Sequence, residues 1–322
     1  MEEMRYAPIV LFAYARPEHT RRTLEALSRN SLAQQSTLFI YVDGVKREAP
    51  DDLRKRNNEV KKVVLEKQWC GEMYVIEREE NFGLARSIRE GVTEIINKHK
   101  KIIVLEDDIV TSPAFLSYMN KALDFYERFP AVFSIGGYTY PPRQMSIPAD
   151  YEYDTYACLR NCSWGWATWQ NRWQLVDWDA TMYQGLKNIP AMKNALNRMG
   201  DDEFKLCQAY MENNLNIWSV LFTMSHFVNH AVAIIPCQSY VENIGLDGSG
   251  ENCGKQEALH YSNLCMNDNP RFLDVIYEDS RIINAFYNVN CVQKLHMWKR
   301  IINRTWRMFK GEKIFYKGKV YI

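Results

Sequence analysis

No stretch of this 322-residue chain approaches the roughly 18–20 consecutive apolar residues of a membrane-spanning helix. Its start, acids leading into a short apolar segment, lacks the pattern of a secretory signal, so a cytoplasmic location is expected. None of the eight cysteines forms a Cys-x-x-Cys pair; Cys158 and Cys162 are the nearest to one another. That scatter argues for reduced thiols over a disulfide framework or a zinc site. A GxGxxG turn and a Walker sequence are both missing, which sets aside the dinucleotide fold and the P-loop enzymes by their fingerprints. Net charge is small too, only +1. What is present, 47% hydrophobic and 25% charged residues, is a globular composition, and an α/β chain of this length can share one core.

The small net charge hides an asymmetry. From Lys294 to Lys319 there are nine Lys or Arg against one acid, Glu312, leaving 31 bases and 38 acids elsewhere, a net of −7. An acidic body argues against nucleic acid as a partner, and the basic tail argues for an anionic surface. On a helical wheel Leu295, Trp298, Ile302, Trp306 and Phe309 share one side of that tail. Residues 293–322 are therefore expected to form a basic amphipathic helix, either packed on the body or in peripheral contact with the inner face of a plasma membrane through residues 294–319.

The most informative stretch runs from Lys101 to Val110. Ile102 to Leu105 are four apolar residues, three of them β-branched, as in a strand buried on both faces. It leads directly into Glu106, Asp107 and Asp108. Three adjacent carboxylates raise one another's pKa unless a cation neutralises them. Ser112-Pro113 supplies a cap and a first-turn proline for the next helix, which leaves the acids upstream in a strand-to-helix turn. Ligands of open α/β sheets bind at carboxyl strand ends, and carboxylates there suit Mg²⁺ or Mn²⁺ carried in on a diphosphate. The bland alternative is a solvated acidic turn.

Around this stretch, apolar runs at 8–13, 38–42, 73–77 and 131–135 read as strands, and 19–27, 51–67, 84–98 and 113–129 as helices. The alternation predicts an α/β fold with a mainly parallel sheet flanked by helices. Arg16 and Asp43 follow the first two strands, so three strand ends carry groups able to hold a ligand. Beyond Pro141-Pro142 the texture changes. Residues 163–173 hold four tryptophans, of which Trp166, Trp169 and Trp173 are spaced as one helical face; a core stripe or a sugar-binding cleft wall would both use them. A polar helix is expected over 201–213. Three glycines between Gly245 and Gly250 suit a plain loop or a lid.

With these pieces in order, the chain resembles the GT-A glycosyltransferases, and within them the N-acetylglucosaminyltransferase I enzymes and related bacterial sugar transferases. Leu105-Glu106-Asp107-Asp108 followed by Pro113 and Phe115 is similar to the family's DxD element. Arg16, Asp43, Gly165-Trp166 before Trp173, and the run Asn243 to Gly250 complete the likeness, which covers about residues 8–253. It implies a GT-A (Rossmann-like) fold: residues 1–140 the nucleotide-sugar-binding half, 141–292 the acceptor-side half. It further implies a nucleotide-sugar donor, a glycan or lipid-linked acceptor, Mn²⁺ or Mg²⁺, and inversion at the transferred sugar in surface polysaccharide assembly. By the same likeness Arg16 and Asp43 would hold the nucleobase, a uracil, and Arg86 would lie near the phosphates. Glu106 and Asp107 would contact sugar or ribose, Trp166 would join the donor site, and Asp108 would ligate the metal. Relatives place the base just ahead of a tryptophan; here Asn216, two residues before Trp218, has no basic atom. Glu212, Asp202 and Asp247 are the candidates in its place. A nucleotidyltransferase on a similar sheet and a non-catalytic carbohydrate-binding protein are the alternative readings.

Overall fold

The structure is a computed structural model that describes residues 6–212, 217–248 and 263–291. Six strands and four α-helices build its first 140 residues in chain order. They are β1 (Ile9–Ala13), α1 (Pro17–Ser28), β2 (Thr37–Val42), α2 (Asp51–Leu65), β3 (Glu72–Glu77), α3 (Leu84–His99), β4 (Lys101–Glu106), β5 (Ile109–Thr111) and α4 (Phe115–Tyr126), with β6 (Val132–Gly136) after them. The rest comprises β7 (Thr155–Cys158), β8 (Trp166–Trp169), α5 (Gln170–Trp173), α6 (Thr181–Leu186), α7 (Pro190–Leu196), α8 (Glu203–Met211), α9 (Trp218–Val228), β9 (Val232–Pro236), β10 (Val241–Asn243) and α10 (Ser280–Asn290).

Eight of these strands make one sheet in the order β3-β2-β1-β4-β8-β6-β9-β7. β1 to β4 are mutually parallel, and only β8 and β7 run against their neighbours. This is the mainly parallel α/β sheet expected from the sequence, and it runs unbroken through both predicted halves. Its central strands alternate between two cores. Ile9, Leu11 and Ala13 of β1 pack with Ile103 and Leu105 of β4 on one side. Val10, Phe12, Ile102 and Val104 pack on the other, against Ile88, Val92, Ile95 and Ile96 of α3. Burying such side chains contributes about 1.5–3 kcal/mol each, and the absence of polar residues over Ile9–Ala13 and 102–105 follows from these stretches being covered on both faces.

Two local expectations are corrected. The acids do not lead into a helix: Asp107 and Asp108 form a turn between β4 and β5, and β5 pairs antiparallel with β10. That pairing extends the backbone through Ser112, whose N–H donates to the Tyr240 carbonyl at 2.8 Å. A cap is worth about 1 kcal/mol, less than a run of ladder bonds, so α4 starts at Phe115 and the Ser112 hydroxyl is buried without a partner among the described residues. The cap comes from α1's end instead, where Asn30 Oδ1 accepts from Leu116 N at 2.9 Å. Nor do the tryptophans form a helical stripe. Trp166 and Trp169 lie on a strand, three residues apart and hence on opposite faces. Trp166 joins Trp173, Trp218 and Phe222, while Trp169 packs in the other core.

The predicted helix over 201–213 is α8, shorter at both ends. Asn216 and the tail 293–322 lie outside the described residues. No described helix is long and apolar enough to cross a membrane.

Candidate active site

The carboxyl ends of β1, β2 and β4 open into a single cleft of ≈ 890 Å³, lined by Arg16, His19, Asp43, Glu106, Asp107 and Asp108 among others. Parallel register brings them together: Ala13, Val42 and Glu106 end adjacent strands, and the next residues turn outward. Asp43 is buried and accepts from Phe82 N at 3.0 Å, Gly83 N at 3.0 Å and Asn81 Nδ2 at 3.2 Å. It thereby fixes the turn ahead of α3, where Gly83 sits at φ 71°, a conformation suited to glycine. Oδ2 accepts from Asn81, Gly83 N and, at 3.1 Å, Phe82 N, whereas Oδ1 accepts only from Phe82 N at 3.0 Å and so keeps capacity for another donor from the cleft.

Arg16 lies at the acid end of the cleft, away from the nucleobase role expected of it. Its Nη2 donates to Asp107 Oδ1 and pairs with Asp108 Oδ2 at 2.9 Å. Burial, with Asp108 and Asp107 nearby, pushes Glu106 up to about 8. Burial also raises Asp108, against the opposing pull of Arg16. The loop after β10 closes over these groups: Ile244 N donates to the Asp108 carbonyl at 2.9 Å, and a Cβ on Gly245 would come within 2.1 Å of Asp108 Oδ2. Only glycine allows that approach. One residue pair further on, His19 Nε2 and Asp247 Oδ2 meet at 3.2 Å across the rim.

A second cavity, ≈ 120 Å³, is lined by Tyr138, Arg160, Asn161, Trp164, Glu203 and Leu246, with others. Cys162 is also among its lining residues, and burial pushes its thiol up to about 12. The cavity mixes ring faces with buried polar groups. Arg160 bonds both oxygens of Asp202, at 3.0 and 3.1 Å, and its Nε meets Glu203 Oε1 at 2.7 Å. Burial raises Glu203 while Arg160 holds it down. Asn161 Nδ2 is buried with no partner among the described residues.

The cleft thus unites Arg16, Asp43, Glu106, Asp107 and Asp108, and leaves four expected residues out. Trp166 is 1% exposed in the core and does not line either cavity. Arg86 points along exposed α3, paired with Glu90 at 2.7 Å and stacked on Phe82. Glu212 ends α8 on the surface, accepting from Gln208 at 2.8 Å. Asp202 is held by Arg160 and does not line the second cavity; its neighbour Glu203 does. Asp247 stands at the rim. Glu203 was missed because three consecutive acids, 201–203, carry no sign of which faces inward; the helix start at Glu203 decides it.

The donor set at the acid turn fits a hard divalent cation, since its atoms are carboxylate oxygens. Among the described residues no three His, Cys, Asp or Glu converge on one point. Mg²⁺-type sites commonly take one or two carboxylates and complete their shell from substrate phosphates and water, which is what Asp108 and its neighbours permit.

No family model and no curated protein matches the chain. Solved structures do. TarS of S. aureus is 11% identical with a TM-score of 0.38, covering 75% of this chain, which spans 37% of TarS. The mannosyltransferase PcManGT from Pyrobaculum calidifontis, in complex with GDP-Man and Mn²⁺, is 9% identical with a TM-score of 0.34, over 70% of this chain and 71% of its own. A UDP-glucose pyrophosphorylase complexed with UDP-glucose is 12% identical with a TM-score of 0.35, over 71% and 90%. At these scores the likeness decides nothing about chemistry.

Proposed function

We propose that the chain is a glycosyltransferase moving a sugar from a nucleotide-sugar, a UDP-sugar, to a hydroxyl of a glycan or glycolipid acceptor with inversion. The observation that carries this is the large cleft floored by strand-end carboxylates, accompanied by a smaller ring-lined cavity whose lining residue Leu246 follows Gly245, the glycine packed against Asp108. A nucleotidyltransferase needs only the first.

In this reading the free capacity of Asp43 Oδ1 accepts the imide N–H of uracil, a donor that cytosine lacks. Asp108 would hold Mn²⁺ or Mg²⁺, which neutralises charge developing on the departing nucleoside diphosphate. Glu106, raised by burial and its neighbours, is suited to bonding a sugar or ribose hydroxyl. Glu203 is the carboxylate best situated for the acceptor: it lines the smaller cavity and is paired with Arg160 at 2.7 Å. As general base it would take the acceptor hydroxyl's proton while that oxygen attacks the anomeric carbon and the diphosphate leaves. Trp164 and Tyr138, whose rings meet at 4.4 Å, offer apolar faces to a sugar ring.

The test is a screen of nucleotide-sugar hydrolysis with Mn²⁺ for the wild type and Asp108→Asn. We expect hydrolysis of a UDP-sugar, lost in Asp108→Asn and in EDTA while the variant keeps its fold. Full activity in either condition overturns the assignment of Asp108.

A further inference from the structure

Arg16 reaches the acid turn from the residue before α1 and holds both Asp107 and Asp108 with one nitrogen, Nη2. Gly245 encloses the same atoms: a Cβ there would stand 2.1 Å from Asp108 Oδ2 and 2.9 Å from Arg16 Nη1. Asp108 Oδ2 is therefore bounded by a guanidinium and by backbone. A divalent cation coming to this carboxylate has to share it with a fixed positive charge, and two cations within a few ångströms repel strongly where water is scarce. A guanidinium, however, binds phosphate oxygens as readily as carboxylates. Arg16 also lines the large cleft, with its side chain 20% exposed there.

We propose that Arg16 is an exchangeable counter-ion that makes metal entry depend on the nucleotide. It neutralises Asp107 and Asp108 until a nucleoside diphosphate brings both oxygens for the guanidinium and a cation for Asp108. Metal alone then binds weakly, diphosphate tightens it, and by reciprocity metal tightens the diphosphate by the same factor. The inference rests on the reading of the cleft as a nucleotide-sugar site. It assigns Arg16 to gating of the metal in place of the nucleobase contact.

The experiment measures binding on the full chain by calorimetry, with Mn²⁺ alone, UDP alone, and Mn²⁺ in the presence of UDP. Wild type, Arg16→Met and Arg16→Lys are compared. Removing the charge should let Arg16→Met bind Mn²⁺ alone at least tenfold tighter than wild type, and should shrink the UDP-induced tightening at least tenfold. Arg16→Lys, a point charge unable to span both acids, should fall between them. Thermal unfolding with and without Mn²⁺ checks the fold and reads the same coupling, with a larger upward shift for Arg16→Met than for wild type. If Arg16→Met does not fold, Arg16→Lys carries the test through its tighter binding of Mn²⁺ alone. Mn²⁺ affinity equal to or weaker than wild type in the folded variants overturns the proposal. If wild type takes up no Mn²⁺ even with UDP, the site reading falls with it; if wild type and variants show equal coupling, the gate alone falls.

Discussion

His226 supplies a stability switch whose size follows from its surroundings. It is fully buried on α9, with ring centroids of Phe222 and Phe133 at 4.6 and 5.4 Å. Nδ1 lies 2.7 Å from the Phe222 carbonyl, which can only accept, so Nδ1 carries the hydrogen. Nε2 then accepts from the Ser134 hydroxyl at 2.8 Å, and the imidazole is complete as a neutral ring. Burial lowers it from 6.5 to about 4. Its folded pKa is below its unfolded one, so the unfolded chain takes up the proton first as pH falls. Stability is unaffected above about pH 6.5 and is lost progressively down to about pH 4. Between pH 7.5 and 4.5 this one group costs about 2.5 kcal/mol, at about 1.4 kcal/mol per pKa unit. Urea unfolding of wild type and His226→Gln across that range isolates it. The variant begins less stable at pH 7.5, yet its stability should fall by about 2.5 kcal/mol less than wild type's on acidification. Parallel pH profiles would refute the reasoning.

Gly245→Ala would force a methyl against Asp108 Oδ2; turnover should fall at least tenfold, with about 1–3 kcal/mol of destabilisation from overpacking, measured by kinetics and urea unfolding. Asp43→Ala strips the acceptor from Phe82 N, Gly83 N and Asn81, so a loss of about 3 kcal/mol is expected along with weaker UDP binding, read by thermal unfolding and calorimetry. Preference of the wild type for GDP or CMP over UDP would contradict the role given to Asp43. For the tail, co-sedimentation of the full chain with anionic vesicles at low salt should exceed that of a chain ending at Cys291, since each base near such a surface is worth about 1 kcal/mol; equal sedimentation argues for a packed helix.

What could be read from the sequence was whatever one strand or one helix decides alone. β1, residues 38–42 of β2 and residues 102–105 of β4 are continuous apolar runs inside the sheet, and the residues after them needed no tertiary information to be grouped. The misreadings share a different origin. Trp166 and Trp169 are both buried, so the strand shows no alternation, and the i, i+3, i+7 spacing mimicked a helix. β5 and β10 are three residues each, too short for any periodicity, and exist because they pair with each other. Ser112 lost its cap role to that pairing. Arg16 went to Asp107 and Asp108, 91 residues or more away, which spacing along the chain does not encode.

The ribbon of β5 and β10 has a consequence for how the protein is made. Thr111 faces Val241, so the acid turn is braced by a strand 130 residues downstream. At about 5–20 residues per second on a ribosome, the first four parallel strands are complete roughly 7–26 s before that brace emerges. A nascent chain of this length carries three clustered carboxylates with Arg16 as their internal cation and no Gly245 backbone against them. Completion of the acid turn's surroundings is therefore a late folding event, separable in time from formation of the sheet that supports it.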